Sequence, residues 1–439
     1  MNQLRHEWNT FFFRKTSPVP LGLFRLVYGL VAFAYGALLF PERYTWFSNK
    51  GVLTGAEAAA YNSGVSVFGI FVHQFDLLML PGADRWLTVF FIAYLLAAFS
   101  LMIGFWSRTS AALVYLGIAA LHARNAPIHH SGDTVVIIMA AYLAFSPCGA
   151  ACSVDRLIRI FRGKEDNTPP QVVAWAQRLM QLQITVLYFC AAMSKATGGE
   201  WMDGTAVYYP MHLPESVRFP IWGQNNIYVV NVVTWATVAI EMALGTVVWV
   251  PRLRLYVLAL GVALHSGIEY SMNIPLFSAI MVTSYINFLN IADIQHVLTW
   301  AKRPLGLLPL RLVYDGECDF CKSSLLVVRF LDIFQQITFV NSHDPAALAA
   351  TGVSFENAES AAYAVRPDGK QFAGFDAFRQ VAWNLPLTAF LGPILYIPGI
   401  PQLGRRAYEW IKNNRHRLPV APRYRVKANQ TQPRETVGV

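Results

Sequence analysis

Long apolar segments recur along the first 300 residues of the chain. Three intervals contain no Asp, Glu, Lys or Arg, and they lie between Arg85 and Arg108, between Asp133 and Asp155, and between Glu269 and Asp293. A helix needs about 20 largely apolar residues to cross the hydrocarbon core of a membrane, and each interval reaches that length. The pattern therefore predicts membrane-spanning helices in this part of the chain.

Five weaker apolar segments contain or border a charge. They are residues 19–40 around Arg25, 109–123, 172–194 around Arg178, 226–250 around Glu241, and 253–269. Together with the charge-free intervals they give a polytopic α-helical bundle of about eight predicted spans. The shorter stretch 64–81 is interrupted by His73, Asp76 and Pro81. We interpret it as interfacial or re-entrant, with an additional span as the alternative.

Lys and Arg residues are concentrated in alternate loops. With the N-terminus inside, the inner segments hold Arg5, Arg14, Lys15, Arg108, Arg156, Arg159, Arg162, Lys164, Arg252 and Arg254. The outer segments hold Arg43, Lys50, Arg85, Arg124, Lys195 and Arg218. Because positive charge is retained on the cytoplasmic side, this bias predicts an even number of spans and cytoplasmic N- and C-termini. We expect a bacterial inner membrane.

The composition also favours a membrane protein. Of the 439 residues, 55% are apolar and 14% are charged, and the mean hydropathy is +0.37. A soluble protein carries roughly a quarter charged residues. We assign the net charge of +9 to cationic loops that contact membrane lipids, so no nucleic-acid partner is expected. The five cysteines are too few and too unevenly spaced for a disulfide framework.

The pattern changes after Leu310. RLVYDGECDFCKSSLLVVRFLD predicts a strand, a turn and a helix, ITFVNS a second strand, AAYAVRPDGKQFAG a hairpin that turns at Pro367-Asp-Gly, and FDAFRQVAWNL another helix. This predicts a small α/β domain over residues 309–418. The cytoplasmic N-terminus (1–18), the transmembrane domain (19–295), a linker (296–308) and a disordered tail (419–439) complete the predicted organisation.

Cys318 and Cys321 lie where the first strand of this domain leads into its helix. A helix N-terminus stabilises a thiolate on the first cysteine, and the second, one turn later, can resolve a mixed disulfide. Half of a zinc site is a less favoured alternative, because no second CxxC or His pair follows at ligand spacing. An inert packed pair is the alternative without chemistry.

The same segment resembles the DCC (DUF393) family of thioredoxin-like thiol-disulfide oxidoreductases. Asp315, Cys318 and Cys321 in YDGECDFC carry the resemblance, together with RPDGKQFAGFDAF and YEWIKNNRHRL. It implies a thioredoxin-like fold and a thiol redox partner. Thioredoxins place a cis-proline before the strand that faces the dithiol, whereas Glu359-Ser-Ala-Ala362 precede Tyr363 here.

Several polar residues interrupt the predicted spans. Arg178, Gln181, Thr185, Tyr188 and Lys195 share one face of the fifth span, and His265 and Glu269 share a face of the seventh. The loop between the third and fourth spans adds His122, Arg124, Asn125, His129, His130 and Asp133. We expect Arg25 and Glu241 to form interhelical pairs or to bind backbone carbonyls. No metal is expected, because the His and acidic spacing matches no recognised site.

Lys195 is either a desolvated base or an interfacial anchor that snorkels to the membrane surface. TVLYFCAAMSKATGGEWMDG resembles the segment of the vitamin K-dependent γ-glutamyl carboxylases that carries their catalytic lysine, and Lys195 matches that lysine. PLGLFRLVYG, GFWSRTS, NAPIHHSGD, CSVDRL and LHSGIEYSMNIPLFSAI align in the same order. Together they resemble the HTTM domain, the membrane half of that family.

The resemblance implies that Lys195, assisted by His130, deprotonates a lipid hydroquinone near the outer leaflet. A membrane quinone of the menaquinone or ubiquinone type is the implied cofactor. A dithiol domain follows here in place of the large lumenal domain of the carboxylases, and Ser194-Lys195 replaces their paired lysines. Carboxylation of protein clients is therefore not implied.

Three functions remain open from the sequence. The first is an enzyme that performs base chemistry at Lys195 and His130, with His129, Arg178, Tyr188, His265 and Glu269 around the quinone. The second is a membrane-anchored thiol-disulfide oxidoreductase that uses Cys318 and Cys321. The third is a non-catalytic module that binds or transports lipid or quinone.

Overall fold

The computed structural model describes residues 2–63, 66–67, 70–71, 78, 82–168, 170–302, 310–334, 336–385, 387–389 and 392–422. Residue contacts divide the chain into two compact units. The membrane unit comprises Met1–Ser153 and Pro170–Asn290, and the redox unit comprises Val154–Pro169 and Ile291–Val439. Most of the stretch 64–81 and most of the tail 419–439 lie outside the described residues.

Helices dominate the chain up to residue 302. They are α1 (Asn2–Phe13), α2 (Val19–Leu39), α3 (Arg43–Phe47), α4 (Gly55–Ser63), α5 (Ala83–Ile103), α6 (Ser107–Arg124), α7 (Ser131–Phe145), α8 (Val154–Phe161), α9 (Trp175–Ala196), α10 (Gly199–Met202), α11 (Tyr208–His212), α12 (Ile227–Gly245), α13 (Arg254–Ser271), α14 (Phe277–Ser284) and α15 (Ile291–Lys302). Two short antiparallel pairs join β1 (Lys15–Thr16) to β4 (Val172–Val173), and β2 (Ser66–Val67) to β3 (Ile70–Phe71).

All eight apolar segments selected from the sequence contain a helix, but the count of eight spans is not confirmed. By length and composition, three helices within the described ranges could cross a membrane, namely Val19–Leu39, Asp84–Ile103 and Ile227–Gly245. The bent pair Phe277–Phe288 and Ile291–Val297 makes a fourth if it is one span. α7 is apolar but shorter, whereas α6, α9 and α13 carry several charged or polar residues. Such residues lower the hydropathy below that of an ordinary span.

The packing of α2 against α5 shows how the membrane unit accommodates a buried cation. A Cβ at Gly29 would lie 2.5 Å from the Met102 backbone, so glycine permits the close approach of the two helices. Arg25 is fully buried and donates to the backbone carbonyls of Leu101, Met102 and Cys152. Since Leu101 and Met102 lie at the C-terminal end of α5, the negative end of the helix dipole stabilises the guanidinium.

The redox unit contains a four-stranded sheet. Its elements are β5 (Leu310–Tyr314), α16 (Asp319–Leu331), β6 (Ile337–Asn341), α17 (Pro345–Ala349), α18 (Phe355–Ser360), β7 (Tyr363–Val365), β8 (Gln371–Ala373), α19 (Phe375–Asn384) and α20 (Ile400–Asn414). The strand order is β6-β5-β7-β8, with β5 parallel to β6 and the other neighbours antiparallel. The predicted strands, hairpin and two helices are confirmed.

Both faces of this sheet are covered. Leu310 and Leu312 of β5 pack on one side with Leu325 of α16, whereas Val313 packs on the other with Leu348 of α17. This arrangement follows from the alternation of side chains along a strand. β5 is therefore fixed between two layers, and its C-terminal end is a rigid support for the turn that carries the dithiol.

Candidate active site

The two cysteines of the redox unit occupy the first turn of α16. Cys318 is the N-cap residue, and its Sγ accepts a hydrogen bond from the backbone N–H of Cys321 at 3.2 Å. The carboxylate of Asp315 accepts from the backbone N–H groups of Glu317 at 2.9 Å and Cys318 at 3.2 Å. The predicted placement of the dithiol between strand and helix is confirmed, and Asp315 holds the turn in shape.

The surroundings of the two thiols make them chemically unequal. Hydrogen bonds from Cys321 lower the pKa of Cys318 to about 6, against the opposing effect of partial burial. The pKa of Cys321 is raised, because its hydrogen bond to Cys318 and its burial both favour the thiol. At neutral pH Cys318 is therefore a thiolate and Cys321 retains its proton, which is the distribution needed for a nucleophile and a resolving thiol.

Arg415, at the C-terminal cap of α20, completes the site. Its Nη1 lies 3.4 Å from Oδ2 of Asp315. Its positive charge contributes to the lowered pKa of Cys318. Arg415 was not among the residues predicted from the sequence, although it lies within YEWIKNNRHRL. The spacing of Tyr408, Ile411 and Arg415 places the three on one face of α20, which was the available signal.

A cavity of about 410 Å³ lies beside Cys321. Its lining is mostly apolar and comes from α16, the α18–β7 connection, α19 and α20, with Phe320, Leu325, Phe375, Phe378, Tyr408 and Ile411 as the large side chains. Pockets of this size and character commonly bind small molecules. The dithiol therefore lies next to a space that can receive a ligand.

The zinc alternative can be tested against the same geometry. Among the described residues, Asp315, Cys318 and Cys321 form the one group of three whose ligand atoms lie within 4.8 Å of one another. A structural zinc site takes four ligands. The Asp315 carboxylate is also engaged by two backbone N–H groups and by Arg415. The arrangement fits a redox pair better than a metal site.

In the membrane unit, Lys195 forms an ion pair with Glu241. Its Nζ lies 2.9 Å from Oε1 and 2.8 Å from Oε2, and it stands 5.2 Å from the centre of the Trp201 ring. The exposed fractions of the two side chains are 22% and 12%. Glu241 was expected to form an interhelical pair or to bind backbone carbonyls, and its pair with Lys195 of α9 makes it part of the candidate membrane site.

Lys195 lies in the last turn of α9, one residue before the helix ends at Ala196. Glu241 follows Ile227 by 14 residues, about 21 Å along α12. The first half of α12 packs beside the segment after α9, since Trp235 donates to the Met202 carbonyl at 3.3 Å. Residues that follow α9 therefore lie beside the first half of α12, beyond the Lys195–Glu241 pair along that helix.

Tyr188, His265 and Tyr285 form a second polar group in the membrane unit. The Tyr188 hydroxyl lies 2.6 Å from Nε2 of His265 and 2.6 Å from the Tyr285 hydroxyl. The Phe277 ring lies between His265 and His130, with centroid distances of 5.4 Å and 5.8 Å. The structure thus joins the predicted Tyr188 and His265, and it adds Tyr285, which the sequence did not single out.

His130 is the N-cap residue of α7. Its Nδ1 accepts from the Gly132 backbone at 3.1 Å, and its own backbone N–H donates to Asp133 at 2.8 Å. Its Nε2 lies 3.2 Å from the Pro275 carbonyl. These contacts give His130 a clear structural role, and among its described contacts none is with Lys195.

The remaining predicted pocket residues lie in separate places. Arg178 contacts Gln181 at 2.8 Å and the Phe11 ring at 4.6 Å. Glu269 is exposed and pairs with Arg218 at 2.8 Å. The ring of His129 lies 3.9 Å from that of His122, and the buried Nε2 of each has no hydrogen-bond partner among the described residues. Arg178, Glu269 and His129 therefore each contact different partners.

Known proteins show similarity to both parts of the chain. A profile described as the HTTM domain matches residues 53–292, and one described as DCC1-like thiol-disulfide oxidoreductase matches residues 312–421. The sporulation-delaying protein SdpB of Bacillus subtilis (strain 168) is 28% identical over 177 residues, which cover 38% of this chain and 52% of SdpB. The uncharacterized protein YitO of the same organism is 27% identical over 135 residues, 29% of this chain and 43% of YitO.

The chain spans about half the length of the curated relatives it matches. No solved structure matches it. The HTTM match covers more than half of the chain, and the DCC1-like match coincides with the sheet and dithiol of the redox unit. The chain is therefore a membrane protein of the HTTM-domain family that carries a DCC1-like thiol-disulfide oxidoreductase domain.

Proposed function

We propose that the protein is a membrane-anchored thiol-disulfide oxidoreductase in which Cys318 is the nucleophile and Cys321 the resolving thiol. The observation that carries the proposal is the unequal pair in the first turn of α16. Cys318 accepts the Cys321 N–H at 3.2 Å and has a pKa of about 6, whereas the pKa of Cys321 is raised. A thiolate attacks a disulfide to form a mixed disulfide, and a neighbouring thiol that is still protonated can then resolve this mixed disulfide.

The reaction proceeds in two balanced steps. The Cys318 thiolate attacks one sulfur of a substrate disulfide, so a mixed disulfide forms and one substrate thiolate leaves. Cys321 then loses its proton to solvent or to that leaving thiolate and attacks Cys318, which releases the second substrate thiol. The substrate disulfide is reduced to two thiols, and Cys318 and Cys321 are oxidised to a disulfide. An external dithiol regenerates the reduced enzyme.

Exchange with 2-hydroxyethyl disulfide tests this proposal. The reduced full-length protein in detergent should react through Cys318, so Cys318→Ser should lower exchange to the uncatalysed background. Cys190 of α9 is not buried within the protein and lies outside the site, so Cys190→Ser is a suitable control that removes a thiol from the membrane unit. Equal rates for the wild type and Cys318→Ser would refute the proposal.

A second function is favoured by the ion pair of the membrane unit. We propose that Lys195 and Glu241 form the proton-handling site for a lipid hydroquinone, from which a neutral Lys195 would remove a hydroxyl proton. The pair is largely shielded from solvent and has the Trp201 indole 5.2 Å from the ammonium. An ammonium, a carboxylate and an aromatic face are suitable in type for a hydroxylated ring, so the residues fit such a ligand.

In this second function, Lys195 and Glu241 would transfer protons, and the polar group of Tyr188, His265 and Tyr285 would position the ring. Glu241 can take the ammonium proton of Lys195, which leaves a neutral amine able to accept another proton. The neighbouring Tyr188, His265 and Tyr285 form a hydrogen-bonded group that can position a polar ring substituent. Lys195→Arg keeps the charge but removes this capacity, because the guanidinium does not deprotonate in proteins.

Two measurements test the membrane function. Quinone extracted from the purified protein should be present in the wild type, and quinol-dependent turnover should be lost in Lys195→Arg. Arg218→Lys, at the exposed pair with Glu269, is the matched control. Retained turnover in Lys195→Arg would exclude a neutral lysine, and absence of bound quinone would favour a lipid-binding or transport module.

We also propose the complete eight-span topology, with cytoplasmic termini in a bacterial inner membrane. The support is the loop charge bias, together with the helices at all eight segments. A reporter fused after Val439 should be cytoplasmic, and one inserted near Gly223 should be outside. A C-terminal reporter outside the cell would overturn the span count and place the dithiol on the same side as the outer loops.

A further inference from the structure

The cavity next to Cys321 is close enough to the dithiol to hold part of a substrate. Cys321 lines the cavity directly, and its Sγ lies within 4.8 Å of Sγ of Cys318. When one sulfur of a molecule reacts with Cys318, the rest of that molecule can therefore reach into the cavity. The cavity volume of about 410 Å³ is sufficient for a compact organic group.

Small residues create this space. Ala358 in α18, and Ala361 and Ala362 in the connection that leads to β7, line the cavity. Gly404 of α20 lies on the opposite wall, and a Cβ there would lie 2.2 Å from the Phe375 ring. The short alanine side chains leave space on one side of the cavity. On the other side, the absence of a side chain at Gly404 lets α20 approach Phe375 of α19 closely.

The two cations of the lining are each paired with a carboxylate. Arg415 pairs with Asp315 at 3.4 Å, and Lys412 pairs with Glu409 at 3.8 Å. Glu359 adds a carboxylate to the lining. An anionic thiol would meet this carboxylate and two cations that already have partners, so the lining offers it little attraction. A neutral apolar group would instead gain from the removal of its surface from water.

We propose that this cavity binds the apolar body of a neutral, low-molecular-weight disulfide, one sulfur of which is attacked by the Cys318 thiolate while the other sulfur leaves as a thiolate. The inference rests on the proposed oxidoreductase function and adds its substrate class. Binding of the apolar body next to the dithiol raises the rate of the first exchange step, because it holds the scissile disulfide near the thiolate.

A graded series of disulfides tests the substrate class with the full-length protein. Bis(2-hydroxyethyl), bis(4-hydroxybutyl) and bis(6-hydroxyhexyl) disulfides share a terminal hydroxyl and differ only in buried methylene groups. Each buried CH₂ can contribute up to about fourfold to the second-order rate constant. We expect the six-carbon compound to react with the protein at least about tenfold faster than the two-carbon compound. When free 2-mercaptoethanol replaces the protein as the attacking thiol, the three disulfides should react at similar rates.

Variants on two walls locate the effect. Ala361→Leu and Ala407→Trp should fill the cavity from opposite sides and bring the ratio of six-carbon to two-carbon rates towards one. Asn413→Trp, on the outward face of α20, adds the same bulk and should keep the wild-type ratio. The rate with the two-carbon compound reports whether each variant retains a folded dithiol site.

Each outcome decides a different point. A flat series in the wild type, or a steep series that survives both cavity variants, would overturn the inference. A rate with insulin that exceeds every alkyl disulfide would assign the site to protein substrates instead. If exchange with the two-carbon compound does not depend on Cys318, the proposed function fails, whereas a normal Cys318-dependent rate with no chain-length preference defeats the substrate class alone.

Discussion

The redox and membrane units each contain a pair of titratable groups in direct contact, but the pairs differ in how charge is stabilised. In the redox unit, one thiolate is held by hydrogen bonds from Cys321 and by the charge of Arg415. In the membrane unit, Lys195 and Glu241 neutralise each other at 2.8 Å. The first pair concentrates charge on a single nucleophilic atom, whereas the second cancels it.

This difference separates a site that can react as it stands from one that must first rearrange. Cys318 is a partly exposed residue at the N-cap of α16 and needs only a substrate. Lys195 must transfer its proton to Glu241 or leave that carboxylate before it can accept a proton. We therefore expect the thiol activity to be measurable in the isolated protein, and the membrane activity to require a bound ligand that competes for the ion pair.

The largest expected effect comes from removal of the resolving thiol. Cys321→Ser should stop turnover after one reaction and leave a stable mixed disulfide on Cys318, because nothing then displaces the bound substrate thiol. Intact-mass spectrometry after a single addition of disulfide measures the trapped adduct. The same treatment of Cys318→Ser should give much less adduct at Cys321, because burial and the Asp315 carboxylate still raise the pKa of that thiol when Cys318 is absent. A stable adduct on Cys321 would reverse the two roles.

The next largest effect concerns the stability of the membrane pair. Glu241→Ala leaves the shielded Lys195 ammonium without its carboxylate and should lower the free energy of unfolding by about 2 kcal/mol, below the range for fully buried pairs because both side chains are partly exposed. Lys195→Met combined with Glu241→Met should recover most of this loss. Chemical denaturation in detergent provides the measurement.

The exposed pair Arg218–Glu269 is the matched control, since its side chains are 33% and 42% exposed. Glu269→Ala should change the free energy of unfolding by less than about 1 kcal/mol. If Glu241→Ala and Glu269→Ala have equal small effects, the Lys195–Glu241 contact contributes no more than a surface ion pair.

A smaller effect is expected at Arg415. Arg415→Gln removes a positive charge that lowers the pKa of Cys318, so that pKa should rise and the alkylation rate at pH 6 should fall about threefold. Arg415→Lys should restore part of the rate. Arg417→Gln, an exposed cation two residues later, should leave the rate unchanged. A pKa of Cys318 that is the same in Arg415→Gln and the wild type would remove Arg415 from the site.

The sequence predicted the dithiol well because its geometry is local. A strand, a turn and a helix N-terminus within 12 residues determine the positions of Asp315, Cys318 and Cys321. Arg415 lies 97 positions after Cys318, and only the packing of α20 brings it to the site. Hydrophobic periodicity specifies that a helix has a buried face, but it does not specify which neighbour that face contacts.

The membrane unit was harder to predict for the same reason. Lys195 and Glu241 were both recognised as charges in apolar segments, yet their partnership depends on the register of α9 against α12. The polar face of α9 was correctly located, but its members divide among different neighbours, as Arg178 and Tyr188 illustrate. The segments that contain α9 and α13 were also predicted as spans, although these helices are more polar than the three described helices that are long and apolar enough to cross a membrane.

The pH dependence of Cys318 alkylation tests the central assignment most directly. The reduced full-length protein is treated with iodoacetamide between pH 4.5 and 9.5, and peptide mass spectrometry measures the rates at Cys318, Cys321 and the control Cys190. Since the pKa of Cys318 is lowered to about 6, its rate should rise through a midpoint near pH 6 and be close to its plateau at pH 7, with Cys321 almost unmodified. A midpoint near the ordinary thiol value of about 8.5, or equal rates at the two cysteines, would contradict the assignment of Cys318 as the activated nucleophile.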